Sequence, residues 1–437
     1  MLGVLGVIVA LALIIFLAYK GVSIIAVSLF GSIVVILSNQ VGIWVGLSEY
    51  YIDGFSDFAG TYLILFVFGS LFGKVMGDSG CASSISYKLL DKFGEEKSIL
   101  VLILATVVLT YGGVNLFIVV FAAYPIAVVL FRNANLPKRL LVACIGLGGA
   151  TITMTAFPGT PAIQNIIPSQ VLGTPPTAAP IFGLVTGLVI LVLGYMYIMR
   201  QARLAKEHGD GFVPGPRDNA QELSEEEKAK LPDWKLALLP MVIVIVLLIV
   251  LASVIELPAI FAVNIALLTG TIVTYLLNWI RIERPLETLN VGMQNSIMAL
   301  INTSCIVGFG SVVQNVDAFQ SFVNFAFNLP FPPLISVVFA VNIIAGITGS
   351  ASGGLTIFME TMGTEYVNMG LDPEILHRVS SLSSGGLDSL PHSGAVITVL
   401  TVIGVTHKEA YKDLGMVTAA IPVAVTIIGA LIYSLII

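Results

Sequence analysis

The residues best suited to proton chemistry lie near the carboxyl end of the chain. Asp388 and His392 are four positions apart, and on a helix this spacing places two side chains on one face. Because imidazole titrates near neutral pH, the pair predicts a site that takes up and releases a proton. The structural alternative is that Asp388 caps a helix start while His392 binds exposed carbonyl groups. Glu360 is a third candidate for binding a proton, since it lies in apolar sequence.

Two stretches rich in helix-breaking residues interrupt strongly apolar sequence. Residues 148–161 contain three glycines, two prolines and four threonines, and residues 383–394 are rich in serine and glycine. An unpaired backbone group in hydrocarbon costs several kcal/mol, so a broken backbone persists only where protein or a water-filled cavity covers it. Paired breaks in two halves of a chain indicate a solute-binding site at the membrane midplane.

Polar residues in these stretches and in two hairpin tips are the predicted substrate ligands. Half-helix N-termini direct unpaired N–H groups inward, which suits a carboxylate, and nearby hydroxyl and amide groups suit a hydroxylated substrate. Packing of small residues between helices is the alternative explanation for many of these positions. The candidates are Asn115, Thr151, Thr153, Thr155, Gly159, Thr160, Asn165, Ser350, Ser352, Gly353, Thr356, Ser384, Gly386, Asp388, His392 and Ser393.

The composition determines the class of protein that must position these residues. Of 437 residues, 57% are hydrophobic and 11% are charged, against roughly 25% charged in soluble domains. Long apolar segments predict membrane-spanning helices rather than a barrel, so the lipid bilayer is an expected partner. The three cysteines are scattered without metal-ligand spacing, and no nucleic-acid motif occurs. We therefore predict no cofactor, no metal and no nucleic-acid partner.

The order of motifs predicts two related halves, residues 1–200 and 234–437, joined by a polar cytoplasmic linker at 201–233. Phe-Gly-Ser recurs at 68–70 and 309–311, and Pro158-Gly159-Thr160 corresponds to Pro391-His392-Ser393. Each half contains a hairpin, at 98–132 and at 334–367, followed by a broken helix. The predicted fold class is thus an all-α polytopic membrane protein with two repeats that meet near the midplane.

Lysine and arginine predict that the two repeats have opposite orientations. Under the positive-inside rule, basic residues in short loops mark the cytoplasmic side. They occupy different places in the two halves, which indicates inverted topology with both termini outside. Arg378 does not fit an exterior loop, and we expect it inside the membrane or at its edge, where it neutralises either an acidic structural partner or a substrate carboxylate. The basic places are Lys20, 88–97, 132–139 and 200–206 in the first half, and 281–284 and 408–412 in the second.

Several motifs resemble the gluconate permease family of proton symporters, within the ion-transporter superfamily. They are Gly-Lys-Val-Met-Gly-Asp-Ser-Gly at 73–80, Asn-Leu-Pro at 135–137, Phe-Pro-Gly-Thr-Pro-Ala at 157–162, and the region of Gly385, Asp388 and His392. The resemblance implies proton-coupled transport of sugar acids or small hydroxy acids. Residues 111–114 and 157–161 depart from the gluconate-type pattern. Residues 158–168 are more similar to the branch of 3-hydroxybutyrate permeases.

These observations predict a secondary transporter of the inner membrane that carries a small hydroxy-monocarboxylate, such as 3-hydroxybutyrate, together with a proton. We expect alternating access, and by superfamily analogy an elevator movement against helices 1 and 2, whose apolar faces also favour a homodimer. Gluconate or sugar-acid symport and sodium-coupled carboxylate transport remain open. An intramembrane hydrolase using Ser383, Ser384 or Ser393 is disfavoured, because Ser393 and His392 are adjacent and would not face each other on a helix.

Overall fold

The computed structural model describes residues 2–111, 116–160, 162–215, 218, 225–255 and 257–436. These residues form helices and connecting turns, and none of them lies in a β-strand. A helix satisfies its backbone hydrogen bonds within one segment, as an apolar chain in lipid requires. The structure therefore confirms the prediction of an all-α polytopic membrane protein.

Twenty-one helices, numbered in chain order, make up the described fold. Several contain or adjoin a π-helical turn, notably at Gly146–Ala156 and Met359–Gly363. They are α1 Leu2–Tyr19, α2 Ile24–Ser38, α3 Ile43–Asp78, α4 Cys81–Phe93, α5 Ser98–Tyr111, α6 Leu116–Asn133, α7 Lys138–Ala156, α8 Ile163–Leu172, α9 Pro180–His208, α10 Glu225–Ala229, α11 Trp234–Ile249, α12 Ala259–Leu277, α13 Pro285–Gln314, α14 Asp317–Phe327, α15 Pro333–Thr348, α16 Ala351–Phe358, α17 Thr364–Asn368, α18 Pro373–Ser384, α19 Gly394–Ile403, α20 His407–Gly415 and α21 Ile421–Ile436.

Length and apolar composition identify the membrane-spanning helices. Seven helical runs in the described residues are long and apolar enough to cross a bilayer, and an eighth span is Pro373–Ser389 with Gly394–Ile403, bent by 56°. Shorter apolar helices, such as Pro333–Thr348, form the hairpin arms. The protein is therefore multi-pass.

The first broken stretch differs from its prediction. The helix continues through residues 148–156 in π-helical form; it ends at Ala156, and the next helix begins at Ile163. Glycine here permits close packing, because a Cβ on Gly148 would lie 2.2 Å from Thr106 Oγ1 and 2.6 Å from the carbonyl of Ile103. Glycines and threonines that suggested a break thus serve a helix–helix contact.

The second hairpin and the last helix of the first half also differ in their limits. Only Gly349 and Ser350 interrupt the second hairpin, since helix α16 begins at Ala351. Gly349 ends helix α15 in the left-handed conformation, at φ +64°, which a residue with a Cβ rarely adopts. Helix α9 extends to His208, beyond the predicted end of the first half at residue 200.

The two halves pack against each other along most of their length. Helix α3 lies along helix α13, where Ser70 Oγ donates a hydrogen bond to the carbonyl of Gly292 at 2.7 Å. A Cβ on Gly292 would lie 3.2 Å from Leu71 Cα, so glycine allows this close approach. Helix α18 of the second half similarly packs on helix α8 of the first. A site between the halves therefore has walls from both.

Part of the segment predicted to be a solvated linker is instead attached to the helices. Asp218 Oδ2 forms an ion pair with Lys138 Nζ at 2.8 Å, and the two side chains are 0% and 6% exposed. Gly215 N donates to the same carboxylate oxygen at 2.6 Å, and Phe212 N donates to Asn135 Oδ1 at 3.0 Å. In this docked position the charge on Asp218 is neutralised by Lys138.

The helix ends that carry basic residues meet at one face of the molecule. Contacts connect the end of helix α1, the starts of helices α4, α7 and α20, the end of helix α12 and the linker. The contacts are Tyr19 with Tyr411, Arg139 with Asp413, Ser84 with Pro232, and Arg281 with Lys230.

Candidate functional site

A cavity of about 660 Å³ lies between the two halves, bordered by both hairpins and both broken helices. Its apolar walls include Phe58, Tyr62 and Met154. Six of the predicted substrate ligands line it, namely Thr155, Ser350, Ser352, Gly353, Asp388 and Ser393. The other polar lining side chains are Thr110, Gln164, Gln314, Thr348, Ser389 and Thr418.

Three helix N-termini meet at this cavity. Helices α8, α16 and α19 begin at Ile163, Ala351 and Gly394, and each of these residues lines the cavity. A helix N-terminus carries about +0.5 elementary charge, because its first N–H groups have no partner within the helix. Three such ends together offer about +1.5 charges and several free N–H donors, which suits a small anion.

The tip of the second hairpin is ordered by a serine cap. Ser350 Oγ accepts a hydrogen bond from Gly353 N at 3.1 Å, which fixes the first turn of helix α16. Ser352 Oγ lies 3.5 Å from Ser350 Oγ, so the two hydroxyl groups present a shared polar edge. The tip of the first hairpin, including the predicted ligand Asn115, lies outside the described residues.

Asp388 and His392 do not share a helical face, and that prediction was wrong. Asp388 lies in a single 3-10 turn, Leu390 is extended, and Ser393, not Asp388, occupies the N-cap position of helix α19. Ser389 Oγ donates to Asp388 Oδ1 at 3.1 Å, and Asp388 is one of the residues that line the cavity. The helix is broken between them because Pro391 cannot donate a backbone hydrogen bond.

His392 instead holds the broken helix against the second hairpin. Its Nε2 lies 2.8 Å from the carbonyl of Gly346, near the end of helix α15, and its Nδ1 has no hydrogen-bond partner in the described structure. The side chain is buried and is not part of the cavity wall. This is the carbonyl-binding role proposed as the structural alternative.

Three threonines of the first stretch, at 151, 153 and 155, form hydrogen bonds with backbone carbonyls. Thr151 Oγ1 and Thr155 Oγ1 donate to the carbonyls of Gly146 and Thr151, at 3.3 and 2.8 Å. Thr153 Oγ1 bonds to Gly148 O at 3.1 Å and also contacts Thr110. Thr151 and Thr153 lie outside the cavity wall, so only Thr155 of these three reaches the candidate site.

Thr160 and Asn165 form a buried structural network with Arg378. Asn165 Nδ2 donates to Thr160 Oγ1 at 2.6 Å, and Arg378 Nη1 donates to Asn165 Oδ1, also at 2.6 Å. Arg378 also donates to the carbonyls of Pro176 and Ala178, at 2.9 and 3.1 Å. The arginine is fully buried, and it lies outside the cavity wall. Its partners are neutral oxygen atoms, so the expectation of an acidic partner or a substrate carboxylate was wrong. This network holds the start of helix α8 in place.

The remaining predicted residues also lie away from the cavity wall. Gly159 is in a turn with φ +80°, and its N–H donates to the carbonyl of Pro176 at 3.0 Å. Ser384 Oγ donates to Ser381 O at 2.7 Å. Gly386 allows Asn342 to approach closely, since a Cβ there would lie 2.1 Å from Asn342 Oδ1. Thr356 is half-buried, and Glu360 is exposed on the outer surface of the hairpin.

Sequence reasoning missed Gln164, the second residue of helix α8. Its side chain lines the cavity and is 4% exposed, and its Oε1 has no hydrogen-bond partner in the described structure. A polar residue directly after the break was the available signal, because the first turn of a broken helix faces the gap.

The electrostatic character of the cavity is unusual for an anion site. Among the described lining residues, Asp388 is the only ionisable acid, and none is lysine, arginine or histidine. No three His, Cys, Asp or Glu side chains of the described residues come together as metal ligands. Attraction for an anion must therefore come from helix N-termini and hydroxyl or amide donors.

The motif at residues 73–80 is structural and lies apart from this cavity. Lys74 Nζ pairs with Asp78 Oδ1 at 2.9 Å, one helical turn away. Thr288 Oγ1, in the first turn of helix α13, donates to Asp78 Oδ2 at 2.6 Å. The motif thus joins the ends of helices α3 and α13.

Comparison with known proteins identifies relatives along the whole chain. The model of the citrate transporter family, CitMHS, matches residues 11–364. The uncharacterized transporter YxjC of Bacillus subtilis (strain 168) is 35% identical over 471 aligned residues, which cover 98% of each protein. An uncharacterized transporter of Haemophilus influenzae is 29% identical over 248 residues, covering 56% of this chain and 54% of its own length.

One solved structure aligns with most of this chain. Neisseria gonorrhoeae MtrF, described with a class of antimetabolite efflux pumps, aligns over 89% of this chain and 84% of its own, with 18% identity and a TM-score of 0.40. A likeness of this degree does not bear on function. The family match spans most of the chain and includes much of the cavity wall. This chain is therefore a membrane transporter of the citrate transporter family, within the ion-transporter superfamily.

Proposed function

We propose that this chain is a secondary transporter that carries a small hydroxy-monocarboxylate, such as 3-hydroxybutyrate, together with a proton. The observation that carries the proposal is the convergence of three helix N-termini and one carboxylate, Asp388, on a single cavity between the halves. The N-termini bind the substrate carboxylate, and hydroxyl and amide groups bind the rest of the molecule.

Charge favours a monocarboxylate over citrate, the substrate in the family's description. A fully ionised tricarboxylate carries three negative charges, whereas three helix N-termini offer about +1.5 charges. The described lining adds a carboxylate and no cationic side chain. Gluconate, with many hydroxyl groups, would leave polar groups unpaired against Phe58, Tyr62 and Met154. The resemblance to the branch of 3-hydroxybutyrate permeases also supports a small hydroxy-monocarboxylate as the substrate.

Asp388 is the proposed coupling residue. Asp388 lines the cavity proposed to bind the anionic substrate. Two carboxylates close together in a site of low dielectric repel each other, so the anion binds best when Asp388 carries a proton. Release of substrate then favours release of the proton, which couples the two movements.

The positions of the charged ends support a topology for this transport cycle. We propose that the face bearing the basic ends is cytoplasmic and that both termini lie outside, in an inner membrane. The hairpins and broken helices would move as a unit against helices α1 and α2 and their counterparts in the second half. The apolar outer faces of these helices are the proposed homodimer contact. The two repeats in this proposal are residues 1–200 and 234–437.

Purified protein in liposomes, with a pH gradient and no sodium, tests the function. We expect labelled 3-hydroxybutyrate to accumulate, an uncoupler to stop accumulation, and neither citrate nor gluconate to compete well. Strong uptake of citrate or gluconate would refute the choice of substrate. A requirement for sodium would refute proton coupling.

Asp388→Asn tests the coupling role separately. We expect loss of pH-driven accumulation, while exchange of labelled for unlabelled substrate across the membrane continues, because the neutral amide mimics a permanently protonated carboxyl group. Glu360→Gln is the matched control, since that carboxylate is exposed and outside the cavity. Accumulation that survives Asp388→Asn, or that Glu360→Gln abolishes, would exclude Asp388 as the coupling residue.

A further inference from the structure

We propose that Gln164 recognises the hydroxyl group of the substrate and thereby selects hydroxy acids over plain carboxylic acids. The inference rests on the proposed function, because it assigns a specificity role within the same cavity. Its basis is an amide side chain that lines the cavity, is 4% exposed, and forms no hydrogen bond with the rest of the described structure.

The missing hydrogen bond points to a ligand. A buried polar atom without a partner is costly, and buried side-chain polar atoms are satisfied in the large majority of cases. Gln164 Oε1 has no partner among the described residues. An amide pairs well with a hydroxyl group, which donates to Oε1 and accepts from Nε2. A bound hydroxy acid would complete this side chain.

The backbone of Gln164 is held firmly enough to make the side chain selective. Ser381 Oγ donates to the carbonyl of Gln164 at 2.7 Å. The next residue, Asn165, is held by Arg378 and by Thr160 on its two amide atoms. These contacts join helix α8 to helix α18 of the other half, so the amide has a defined position in the wall.

A second unsatisfied group belongs to a residue of the other half that lines the same cavity. Ser393 is 1% exposed, lines the cavity, and its Oγ has no hydrogen-bond partner in the described structure. It occupies the N-cap position of helix α19 without making the capping hydrogen bond. Its hydroxyl group can therefore donate to the substrate carboxylate beside the first N–H groups of that helix. Gln164 is then left to contact the hydroxyl-bearing carbon.

Competition binding to the purified protein in detergent, at fixed pH, tests the inference. The assay measures how well unlabelled 3-hydroxybutyrate, butyrate or 3-fluorobutyrate displaces labelled 3-hydroxybutyrate. We expect the hydroxy acid to bind roughly 3- to 10-fold more tightly than the other two, as one neutral hydrogen bond would give. Fluorine cannot donate to Gln164 Oε1, so the fluorinated acid should behave like butyrate. Equal affinities in the wild-type protein would overturn the inference.

Gln164→Met removes the amide at similar length, and we expect it to bring the affinity ratio of 3-hydroxybutyrate to butyrate close to one. Gln294→Met is the matched control, because Gln294 is exposed and lies outside the cavity wall. It should retain the ratio. A ratio retained in Gln164→Met would overturn the inference. If Gln164→Met does not fold, the relative affinities of 3-hydroxybutyrate and 3-fluorobutyrate for the wild-type protein still test the inference.

The two proposals fail in different ways. Absence of binding by all three acids in the wild-type protein would refute the proposed substrate class, and the role of Gln164 with it. Binding of all three with no preference for the hydroxyl group would refute the role of Gln164 alone and would leave a monocarboxylate transporter.

Discussion

Replacement of Asp218 by asparagine should strongly destabilise the protein. The Asp218 side chain is 0% exposed and pairs with Lys138 Nζ at 2.8 Å. Tyr124 Oη and Gly215 N donate to the same carboxylate. The charge on Lys138, at the start of helix α7, is thus neutralised by a residue far along the chain.

The expected cost follows from the charge that remains. Removal of one partner of a buried ion pair typically costs about 3–5 kcal/mol, because the other charge stays buried without compensation. In Asp218→Asn the ammonium group of Lys138 retains a hydrogen bond to Tyr124 Oη at 3.2 Å but has no negative partner. The double change Lys138→Met with Asp218→Leu removes both charges, and should recover most of the loss.

Thermal unfolding in detergent measures the effect, and limited proteolysis reports whether the polar segment detaches. Asp218→Asn should lower the melting temperature and speed cleavage in the segment after helix α9. Asp91→Asn is the control, because the Lys88–Asp91 pair is exposed, with side chains 44% and 70% accessible, and should change neither measurement. An unchanged melting temperature in Asp218→Asn, or a double variant less stable than either single variant, would refute the reasoning.

Two further predictions concern packing beside the cavity. Arg378→Lys should lower stability by about 2–4 kcal/mol, because an ammonium group cannot replace the three directed hydrogen bonds of the guanidinium group; an unchanged melting temperature would contradict this. Gly354→Ala should destabilise by about 1–3 kcal/mol, since a Cβ there would lie 2.4 Å from Ala345 Cα in the facing hairpin arm. Gly60→Ala, with no atom within 4 Å, is its control and should be neutral or stabilise by up to about 1 kcal/mol, because alanine favours a helix more than glycine does.

Local pattern was sufficient to predict the helices and the hairpins. The hairpin predicted at 98–132 matches helices α5 and α6, which run from Ser98 to Tyr111 and from Leu116 to Asn133. These features are local because lipid requires each apolar segment to satisfy its own backbone, so hydropathy and length carry most of the information. Pro391 likewise marked a real break in the second half.

The breaks themselves were less predictable, because glycine and threonine serve two purposes in apolar helices. Gly148 suggested an irregular backbone, yet it remains helical and allows contact with Ile103 and Thr106. Thr151 and Thr155 return their hydroxyl groups to backbone carbonyls one turn earlier. Nothing in the local sequence distinguishes a glycine that ends a helix from one that lets a second helix approach.

The sequence by itself determined the class of protein, the helical segments, the polar residues available to bind an anion, and the burial of Arg378. Only the tertiary structure decided which of those residues share a site. It brought Thr155, Ser350 and Asp388 together, turned Glu360 outward, and revealed Gln164. The physical reason is that a side chain acquires or loses hydrogen-bond partners through contacts between the halves, as Asn165 does with Arg378, and such contacts leave no mark on the residues next to them in the chain.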